Sequence, residues 1–319
     1  MLEKLKKDLK KKIKKADKVY VVGHNFIDLD VLGASIAVFK IAEKYKRECY
    51  IIINDAILED SVSKAIDSIS SSFKIVKKED INDFSSSLLV VVDTNKYDLI
   101  CLDNLNQFFD VIVIDHHDIS KNTINIGTKY IDTTFSSASE VMTCILYRLG
   151  IKIDAVCANI ILAGIVIDTN NFTLRTTANT FRCATYLLSN GADTVKVQYL
   201  LKQDIKKFIK RQKLLSNIEI INKKIAISVG KSFDIYKRDD LARTSQSLLL
   251  FEKIEASFTI GYLDKRVVGI SGRSYGNINI SNIMKKLGGG GNNSEGATII
   301  YDTSITDAVN KLKGILIKK

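Results

Sequence analysis

Proline and tryptophan are missing from this 319-residue sequence, and histidine and cysteine are rare. The lack of proline excludes proline-rich linkers, and we attribute it to a coding bias towards AT-rich codons. The five cysteines are scattered, are odd in number and never form a C-x-x-C pair, which argues against a disulfide framework and a zinc ribbon. We expect them to be reduced and to fill small apolar spaces.

Long hydrophobic runs are also missing. The longest run, around residues 160–167, is far shorter than the roughly 18 apolar residues that a membrane-spanning helix needs. The amino terminus is rich in lysine and has no apolar segment followed by a cleavage site, so it does not resemble a secretory signal. The chain as given is therefore predicted to be cytoplasmic.

Positive charge is concentrated at the start of the chain. Residues 1–18 hold nine lysines against three acidic residues, which accounts for +6 of the net charge of +11. The apolar residues of this segment recur at helical spacing: Leu2, Leu5, Leu9 and Ile13. The segment is predicted to form a basic amphipathic helix. A surface helix packed by its apolar stripe is the favoured interpretation, and docking on anionic lipid or on a partner is the alternative.

Short apolar strands alternate with amphipathic helices in the first half of the chain. Strands are predicted at residues 19–22, 49–53, 88–92 and 111–114, and helices at residues 31–45 and 136–149. Continuous apolar strands separated by helices indicate a parallel sheet that is covered by helices on both faces. Residues 160–167 fit either a strand or a buried helix, and we favour the helix.

The pattern changes after residue 192. Residues 193–216 are polar and helical, and we expect them to connect two domains. Later segments predict strands within residues 218–229, 256–262 and 266–271, and helices near residues 239–251 and 280–287. The predicted protein is of the α/β class, with a parallel-sheet domain at residues 1–192, a helical linker at 193–216 and a smaller α/β domain at 217–319.

All three histidines lie in acidic segments that follow predicted strands. The polar residues at these strand ends are His24, Asp28, Asp30, Asp93, Asp115, His116 and His117. The carboxyl ends of parallel strands gather at one crevice, so we expect these side chains to converge. Asp168, which ends the apolar run at residues 160–167, can join them.

Four of these convergent side chains are those of Asp28, Asp30, Asp93 and Asp168. Four carboxylates in one crevice repel each other unless cations neutralise them, and two divalent ions supply the required charge. Imidazole and carboxylate ligands suit a metal such as Mn²⁺. A pair of such ions is the usual machinery for attack of water on phosphorus, which predicts phosphoester hydrolysis. A single aspartate at a strand end more often caps the next helix, so the prediction depends on the combination.

In combination, the motifs resemble those of the DHH phosphoesterase superfamily with its DHH-associated C-terminal domain, across nearly the whole chain. The four motifs are residues 23–33, which contain G-H and D-x-D, residues 91–93, residues 115–117, which read D-H-H, and residues 163–168. Residues 168–176 and 191–194 are most similar to the catalytic part of bacterial cyclic di-AMP phosphodiesterases, whose full-length forms are membrane-anchored.

The resemblance implies a role for each matched residue. One metal ion is expected to be held by His24, Asp28 and Asp93. The other is expected to be held by Asp30, Asp93, His116 and Asp168, so that Asp93 bridges the two ions. Asp115 is expected to orient a metal-bound imidazole, and His117 to contact phosphate. The predicted catalytic residues are therefore Asp93, Asp115 and His117.

In the second domain, the resemblance implies a part that grips the substrate. Its predicted residues are Ser271, Arg273, Asn279, Gly288, Gly289, Gly290, Gly291 and Asn292. A glycine run lets backbone N–H groups approach an anion, and an arginine offers a bidentate fork for phosphate. Two residues depart from the family pattern. Ile27 replaces a proline, which we expect to be harmless, and Asn292 replaces a histidine, which is expected to change substrate affinity or preference because asparagine cannot become a cation.

The resemblance predicts a Mn²⁺-dependent phosphodiesterase that hydrolyses cyclic di-AMP to linear 5′-pApA, with slow hydrolysis to AMP as a following step. The nearest alternative is a nanoRNase-like hydrolase of short linear oligonucleotides. A family II inorganic pyrophosphatase and a non-catalytic nucleotide-binding protein are further alternatives. A homodimer through the larger domain is expected, and stable binding of duplex nucleic acid is not. If membrane segments precede Met1 in a longer protein, the predicted location becomes the cytoplasmic face of the membrane.

Overall fold

The structure is a computed structural model that describes residues 1–54, 58–69, 71, 73–202, 205–231, 234–291 and 293–317. The chain divides into two compact units, Met1–Gln203 and Asp204–Lys319. None of the helices in this described part of the chain combines the length and the apolar character that a bilayer crossing requires.

A six-stranded sheet forms the centre of the first unit. In pairing order, its strands are β3 (Lys74–Val76), β2 (Glu48–Ile52), β1 (Lys18–Val22), β4 (Ser87–Val92), β5 (Asp110–Asp115) and β6 (Thr128–Ile131). Every neighbouring pair is parallel. The aliphatic runs of β1, β4 and β5 are buried almost throughout, as strands covered on both faces require.

Among the described residues, α-helices cover one face of this sheet, and loops with short 3₁₀-helices cover the other. The α-helices of the described residues are α1 (Leu2–Lys15), α2 (Leu29–Lys44), α3 (Asp60–Ser68), α4 (Ala138–Arg148), α5 (Ala155–Asp168), α6 (Ala178–Ser189) and α7 (Thr194–Leu201). One set of strand side chains, which includes Val21 and Val90, shares a core with them. The alternate set, which includes Tyr20 and Val91, packs against loops and short 3₁₀-helices such as Leu105–Gln107. The predicted α/β class and the parallel sheet are confirmed. The prediction of α-helices on both faces is wrong, because the connections on the second face are loops and single 3₁₀ turns that bury its apolar side chains instead.

Helix α1 packs on the first unit by its apolar stripe. Leu5, Leu9 and Ile13 are fully buried. On one flank of the helix, Lys12 donates from Nζ to Oδ1 of Asp110 at 2.9 Å. The interpretation as a packed surface helix is confirmed, and the buried stripe is not available to a lipid surface or to a partner.

Residues 160–167 lie within α5, as the favoured interpretation predicts. Helix α5 runs close to α2 because glycine occurs at two contact points. A Cβ atom added at Gly33 would lie 3.0 Å from Cα of Ile161, and one added at Gly164 would lie 3.0 Å from Cα of Asp30. Any larger residue at these positions would push the two helices apart.

A second six-stranded sheet forms the other unit. In pairing order, its strands are β11 (Gly290–Gly291), β12 (Glu295–Tyr301), β10 (Val267–Ser274), β9 (Ala256–Asp264), β8 (Ile225–Val229) and β7 (Ile218–Ile221). Strands β8 and β9 are parallel, and the other neighbouring pairs are antiparallel. The helices of this unit are α8 (Ile205–Leu215), α9 (Arg238–Leu248), α10 (Ile280–Lys286) and α11 (Ile305–Ile317). A separate core that includes Phe258 and Ile270 stabilises the unit.

Candidate metal centre

The loop after β1 carries two potential metal ligands. Asp28 is the N-cap residue of α2, and its Oδ1 accepts hydrogen bonds from the N–H groups of Asp30 at 2.9 Å and Val31 at 3.0 Å. Its Oδ2 lies 3.6 Å from Nε2 of His24. The Nδ1 atom of His24 lies 2.9 Å from the backbone oxygen of Asn25. A hydrogen on Nδ1 leaves the lone pair of Nε2 for a metal.

The first turn of α4 holds the carboxylate of Asp30, which is fully buried. The N–H of Ala138 donates to Oδ2 at 2.7 Å, and the N–H of Ser139 donates to Oδ1 at 2.8 Å. Helix α5 approaches the backbone of Asp30 closely at Gly164, where a Cβ atom would lie 3.0 Å from Cα of Asp30. The amino end of α4 therefore orients this carboxylate and favours its charged form.

Asp93 ends β4 and lies at the centre of the site. Its backbone has a φ of 57°, in the left-handed region that aspartate tolerates better than most residues. Its Oδ2 lies 3.4 Å from Nε2 of His24, and its Oδ1 lies 3.0 Å from Nε2 of His116. The two oxygens of one carboxylate therefore face two different imidazoles.

Three groups of possible ligand atoms lie around this carboxylate, and the atoms of each group lie within 4.8 Å of one another. The first group is His24, Asp28 and Asp93, the second is Asp30, His116 and Asp168, and the third is Asp93, Asp115, His116 and His117. In the second group, Nε2 of His116 lies 3.9 Å from Oδ2 of Asp30 and 3.4 Å from Oδ2 of Asp168. The structure thus brings together all six side chains that the resemblance implies as ligands.

Asp115, at the end of β5, contacts both neighbouring histidines. Its Oδ1 accepts a hydrogen bond from the backbone N–H of His116 at 2.8 Å and lies 2.8 Å from the imidazole Nδ1 of His117. The imidazole that Asp115 contacts is therefore that of His117. On the other side, Nδ2 of Asn95 donates to Oδ2 of Asp115 at 2.6 Å.

Sequence reasoning missed Asn95, a buried residue that also donates to the backbone oxygen of His117 at 3.2 Å. Because it lies two residues after Asp93, a polar side chain directly after a strand end is the signal that could have found it.

Asp168 is the last residue of α5, and a left-handed turn follows it. Asn170, Asn171 and Phe172 have φ angles of 46°, 57° and 61°. Further along the turn, Nη2 of Arg175 donates to the backbone oxygen of Asp168 at 3.4 Å. The turn ends the helix directly at the site and places a guanidinium beside its last carboxylate.

The pKa values of the aspartates in the cluster are shifted in opposite directions. Burial and the neighbouring carboxylates of Asp30 and Asp93 raise the pKa of Asp168 well above its ordinary value. Burial and Asp93 raise the pKa of Asp30 to about 7. Burial opposes ionisation of Asp93 as well, but the imidazoles of His116 and His24 outweigh it and hold the pKa of Asp93 well below its usual range.

The histidine shifts show the same excess of negative charge. Burial opposes the charged form of His24, but Asp28 and Asp93 outweigh it and raise its pKa to about 12. Burial likewise opposes the charged form of His117, but Asp115 and Asp93 raise its pKa to about 9. The side chains therefore create a site that attracts positive charge.

Three atoms at the centre are buried and have no well-aligned hydrogen-bond partner in the described part of the chain: Oδ1 of Asp93, and Nδ1 and Nε2 of His116. Such a buried orphan costs about 1–3 kcal/mol. A divalent cation can satisfy a carboxylate oxygen and an imidazole nitrogen at once, and both are suitable donors for Mn²⁺-like metals. The residues present therefore fit a bound divalent cation.

Glu140 is a buried carboxylate near this centre that the sequence analysis did not select. It accepts hydrogen bonds from N and Oγ of Ser136 at 3.0 and 2.5 Å, from Oγ1 of Thr180 at 3.0 Å and from Nδ2 of Asn179 at 2.6 Å. These bonds connect the start of α4 with the start of α6. Since the first turn of α4 holds Asp30, Glu140 supports that ligand indirectly. An acidic residue in the buried part of a helix is the signal that was available.

In the second unit, two predicted substrate-binding residues lie on β10. Ser271 and Arg273 are two residues apart on this strand, so their side chains lie on the same face of the sheet. Ser271 is opposite Ala297 of β12, which is opposite Gly290 of β11, so Ser271 and Gly290 are two strands apart, about 10 Å. The Oγ atom of Ser271 is buried and lacks a hydrogen-bond partner among the described residues. Nη2 of Arg273 lies 3.4 Å from Oε2 of Glu295.

The glycine run joins α10 to β11, and its backbone needs glycine at several positions. Gly288 and Gly291 have φ angles of 80° and 149°. A Cβ atom at Gly289 would lie 2.2 Å from the backbone oxygen of Ala297. The run is thus a compact connection rather than a loose surface loop.

Asn279 and Asn292 complete the predicted substrate-binding set. Asn279 is the N-cap residue of α10, and its Oδ1 accepts a hydrogen bond from the N–H of Asn282 at 2.9 Å. Its amide N–H groups remain donors. Asn292 lies outside the described residues, so the effect of its replacing the family's histidine stays a prediction.

Known proteins are similar in sequence to this chain over nearly all of its length. Residues 18–165 match the DHH family, N-terminal domain. The cyclic-di-AMP phosphodiesterase PdeA of Listeria monocytogenes is 36% identical over 316 residues, which make up 95% of this chain and 48% of that protein. The cyclic-di-AMP phosphodiesterase GdpP of Bacillus subtilis is 35% identical over 317 residues, which make up 96% of this chain and 48% of that protein. The chain spans about half the length of these relatives.

The fold is shared with a solved structure of lower sequence identity. An exopolyphosphatase-related protein from Bacteroides fragilis matches with a TM-score of 0.85 and 20% identity, over 99% of this chain and 96% of that chain. The relatives and the matched domain confirm the resemblance predicted from the four motifs. Residues 18–165 therefore form a DHH family, N-terminal domain, and nearly the whole chain is similar to one half of the two cyclic-di-AMP phosphodiesterases.

Proposed function

We propose that the chain is a metal-dependent phosphodiesterase that hydrolyses cyclic di-AMP to linear 5′-pApA. The observation that carries this proposal is the position of Asp93, whose two carboxylate oxygens face His24 in the first group of ligand atoms and His116 in the second. The two relatives named cyclic-di-AMP phosphodiesterases support the choice of substrate.

We expect two divalent ions, and Mn²⁺ is the metal that the donor set favours. The proposed ligands are His24, Asp28 and Asp93 for one ion, and Asp30, Asp93, His116 and Asp168 for the other. When bound, such a pair stabilises the charge of the phosphoryl oxygens and lowers the pKa of water. The acidic cluster supplies the negative charge that holds both ions in place.

His117 is proposed to contact the scissile phosphate. Its Nδ1 lies 2.8 Å from Oδ1 of Asp115, and its side chain is 41% exposed. Asp115 stabilises the imidazolium form, whose Nε2–H can donate to a phosphate oxygen or to the leaving oxygen. Asn95 keeps Asp115 in place by donating to its second oxygen.

The nucleotide part of the substrate needs apolar and cationic surfaces. Phe26 lies between His24 and Asp28 in sequence and is 78% exposed, which suits stacking on an adenine base. In the second unit, we propose that Arg273, Ser271 and the glycine run hold the remaining phosphate and sugar.

The proposal assigns catalysis to residues 1–192, the connection to residues 193–216 and substrate binding to residues 217–319. The homodimer and the cytoplasmic location remain predictions from the sequence.

The decisive experiment compares cyclic di-AMP with linear pApA as substrates of the purified chain. The chain is freed of metal with a chelator and supplied with Mn²⁺, and products are identified by mass spectrometry. We expect pApA to accumulate from the cyclic substrate and AMP to appear slowly. Asp93→Asn should abolish turnover, and Asp98→Asn, a change at an exposed acid outside the cluster, should not.

Two results would contradict the proposal. Faster consumption of pApA than of cyclic di-AMP would indicate a nanoRNase-like enzyme. Binding of the nucleotide without turnover of either substrate, in the presence of Mn²⁺, would indicate a non-catalytic nucleotide-binding protein.

A further inference from the structure

The first unit carries an open surface pocket of about 510 Å³ that is lined mostly by the apolar stems of cationic side chains, whose charged groups surround it. Its walls come from α1, from the last turn of α2 and from the last turn of α4. The cationic side chains that line it are Lys6, Lys7, Lys10, Lys14, Lys44 and Arg148.

The pocket is separate from the metal centre. Helix α2 carries Asp28 and Asp30 at its amino end and Lys44 at its carboxyl end, and its 16 residues span about 24 Å. Helix α4 holds Asp30 with its first turn and contributes Arg148 from its last turn. The two sites therefore lie at opposite ends of the same helices.

The lysines of α1 divide between two exposed faces of the helix. The flank that lines the pocket carries Lys6, Lys7, Lys10 and Lys14. The other lysines that are exposed, Lys4, Lys11 and Lys15, do not line the pocket, and the helical repeat places them on the outward face. The sequence thus provides two sets of lysines that differ in position and not in charge.

The positive charge of the pocket is only partly compensated. Glu3 pairs with Lys6 at 2.7 Å and with Arg148 at 2.9 Å, and Lys44 donates to the backbone oxygen of Leu149 at 2.5 Å. The carboxyl ends of α2 and α4 each add about half a negative charge. The six cations still leave a surplus of about four positive charges after Glu3 and both helix ends are counted.

Four of the cations in the pocket have no acidic partner in the part of the chain that the structure describes: Lys7, Lys10, Lys14 and Lys44. Among the residues that the structure describes, Lys7 and Lys10 form no ion pair, and Lys14 lies over the ring of Tyr45 at 5.2 Å from its centroid. A ligand with several closely spaced negative charges would therefore find unused donors on one wall and an aromatic side chain on another.

We infer that this pocket binds a small, soluble polyphosphate anion, with a triphosphate chain as the matching chemical class. The surplus of charge favours a multivalent anion over a single carboxylate or phosphate. The concave shape favours a compact ligand over a flat lipid surface, which would contact the outward lysines of α1 instead. Nothing in the proposed phosphodiesterase activity requires this second site.

Titration calorimetry with inorganic triphosphate tests the inference. The full chain is used without metal, so that the anion cannot bind through an ion, and in about 0.15 M salt, so that weak surface attraction is screened. We expect saturable binding at one site. The pocket variant Lys7→Gln/Lys10→Gln/Lys14→Gln should bind about tenfold more weakly or worse, because it loses three charge contacts with the anion.

A matched variant controls for the change in net charge. Lys4→Gln/Lys11→Gln/Lys15→Gln also removes three charges from α1, and its affinity should change less than about twofold because these lysines lie outside the pocket. All substituted lysines are exposed, so both variants should fold, which circular dichroism verifies.

Four outcomes would overturn the inference. Equal weakening in the two variants would show a non-specific effect of helix charge, and the absence of saturable binding would remove the site. Binding that persists in the pocket variant but is lost in Arg273→Gln would place the anion in the second unit. Binding to vesicles with anionic phospholipid that is lost in the outward-face variant, without triphosphate binding, would show that α1 contacts membranes.

Discussion

The Nε2 atom of His116 lies 3.0 Å from Oδ1 of Asp93, and neither atom has a well-aligned hydrogen-bond partner in the described part of the chain. Both side chains are almost fully buried. A cation that binds both atoms would satisfy them together, and binding to the folded state alone stabilises that state. The metal centre should therefore govern the stability of the first unit as well as its chemistry.

Asp168→Asn is expected to stabilise the metal-free protein near neutral pH. The pKa of Asp168 is raised by burial and by neighbouring carboxylates, so the folded state holds this proton more tightly than the unfolded state. Stability is then lost as pH rises above the unfolded pKa, and the neutral amide avoids this loss. Urea unfolding with chelator at about pH 4 and about pH 8 should show a gain for the variant mainly at the higher pH. A variant that is less stable than the wild type at both pH values would contradict this account.

Added Mn²⁺ should reverse the order of stability in the same pair of proteins. The wild type has all the proposed ligands and should gain more in midpoint temperature than Asp168→Asn. Equal gains would show that Asp168 does not bind the ion.

Asp115→Asn is expected to lower the pKa of His117 from about 9 towards its ordinary value, because Asp115 is the main group that supports the charged imidazole. Turnover should fall about 10–100-fold, as for other groups that orient a ligand or catalytic side chain, and metal affinity should change little. NMR titration of metal-free protein gives the pKa. The exposed neighbour Asp118→Asn is the control. An equal loss of metal affinity and turnover would assign Asp115 to the metal rather than to His117.

Gly164→Ala is expected to disturb Asp30 from a distance. The added methyl group would lie 2.6 Å from Oγ of Ser139 and 2.8 Å from the backbone oxygen of Leu29, so α5 must move away from α2. We expect a loss of about 1–3 kcal/mol in the free energy of unfolding and weaker binding of Mn²⁺. Gly314→Ala is the matched control, because its Cβ meets no atom within 4 Å and lies in a helix, where alanine stabilises by about 0.5–1 kcal/mol. Unchanged Mn²⁺ affinity in Gly164→Ala would show that Asp30 does not depend on this helix contact.

Glu140→Gln is expected to weaken both folding and metal binding. The new amide group would face donors where the carboxylate accepts four hydrogen bonds, which leaves a buried donor unsatisfied at about 1–3 kcal/mol. Because α4 holds Asp30, the affinity for Mn²⁺ should fall by about tenfold or more. Calorimetry measures both quantities. Glu43→Gln, at an exposed glutamate of α2, should leave them unchanged. A loss of stability with unaltered metal affinity would limit Glu140 to a structural role.

In the first sheet, the buried strands could be predicted from the sequence, and the two edge strands could not. The strands β1, β4 and β5 are continuous apolar runs because both of their faces are covered, and that pattern is visible without a structure. The strands at the two edges of the first sheet, β3 and β6, are only three and four residues long and have partly exposed side chains. Their conformation depends on pairing with a neighbour rather than on their own pattern.

The candidate site divides in the same way. Its histidines and aspartates were found because they follow apolar strands in a chain that has few histidines. Asn95 and Glu140 were missed because each acts through hydrogen bonds to residues that are distant in sequence, such as Asp115 and Thr180. Such partners become visible only when the elements that carry them are packed together.

The sequence by itself determined the α/β class, the family resemblance and the supply of oxygen and nitrogen donors, because the hydrophobic period and the motif residues are properties of short segments. Only the tertiary structure decided that Asp93 faces His24 with one oxygen and His116 with the other. It also decided that the lysines of α1 line a pocket together with Lys44 and Arg148. Distances between distant segments depend on strand order and helix packing, which no local pattern encodes.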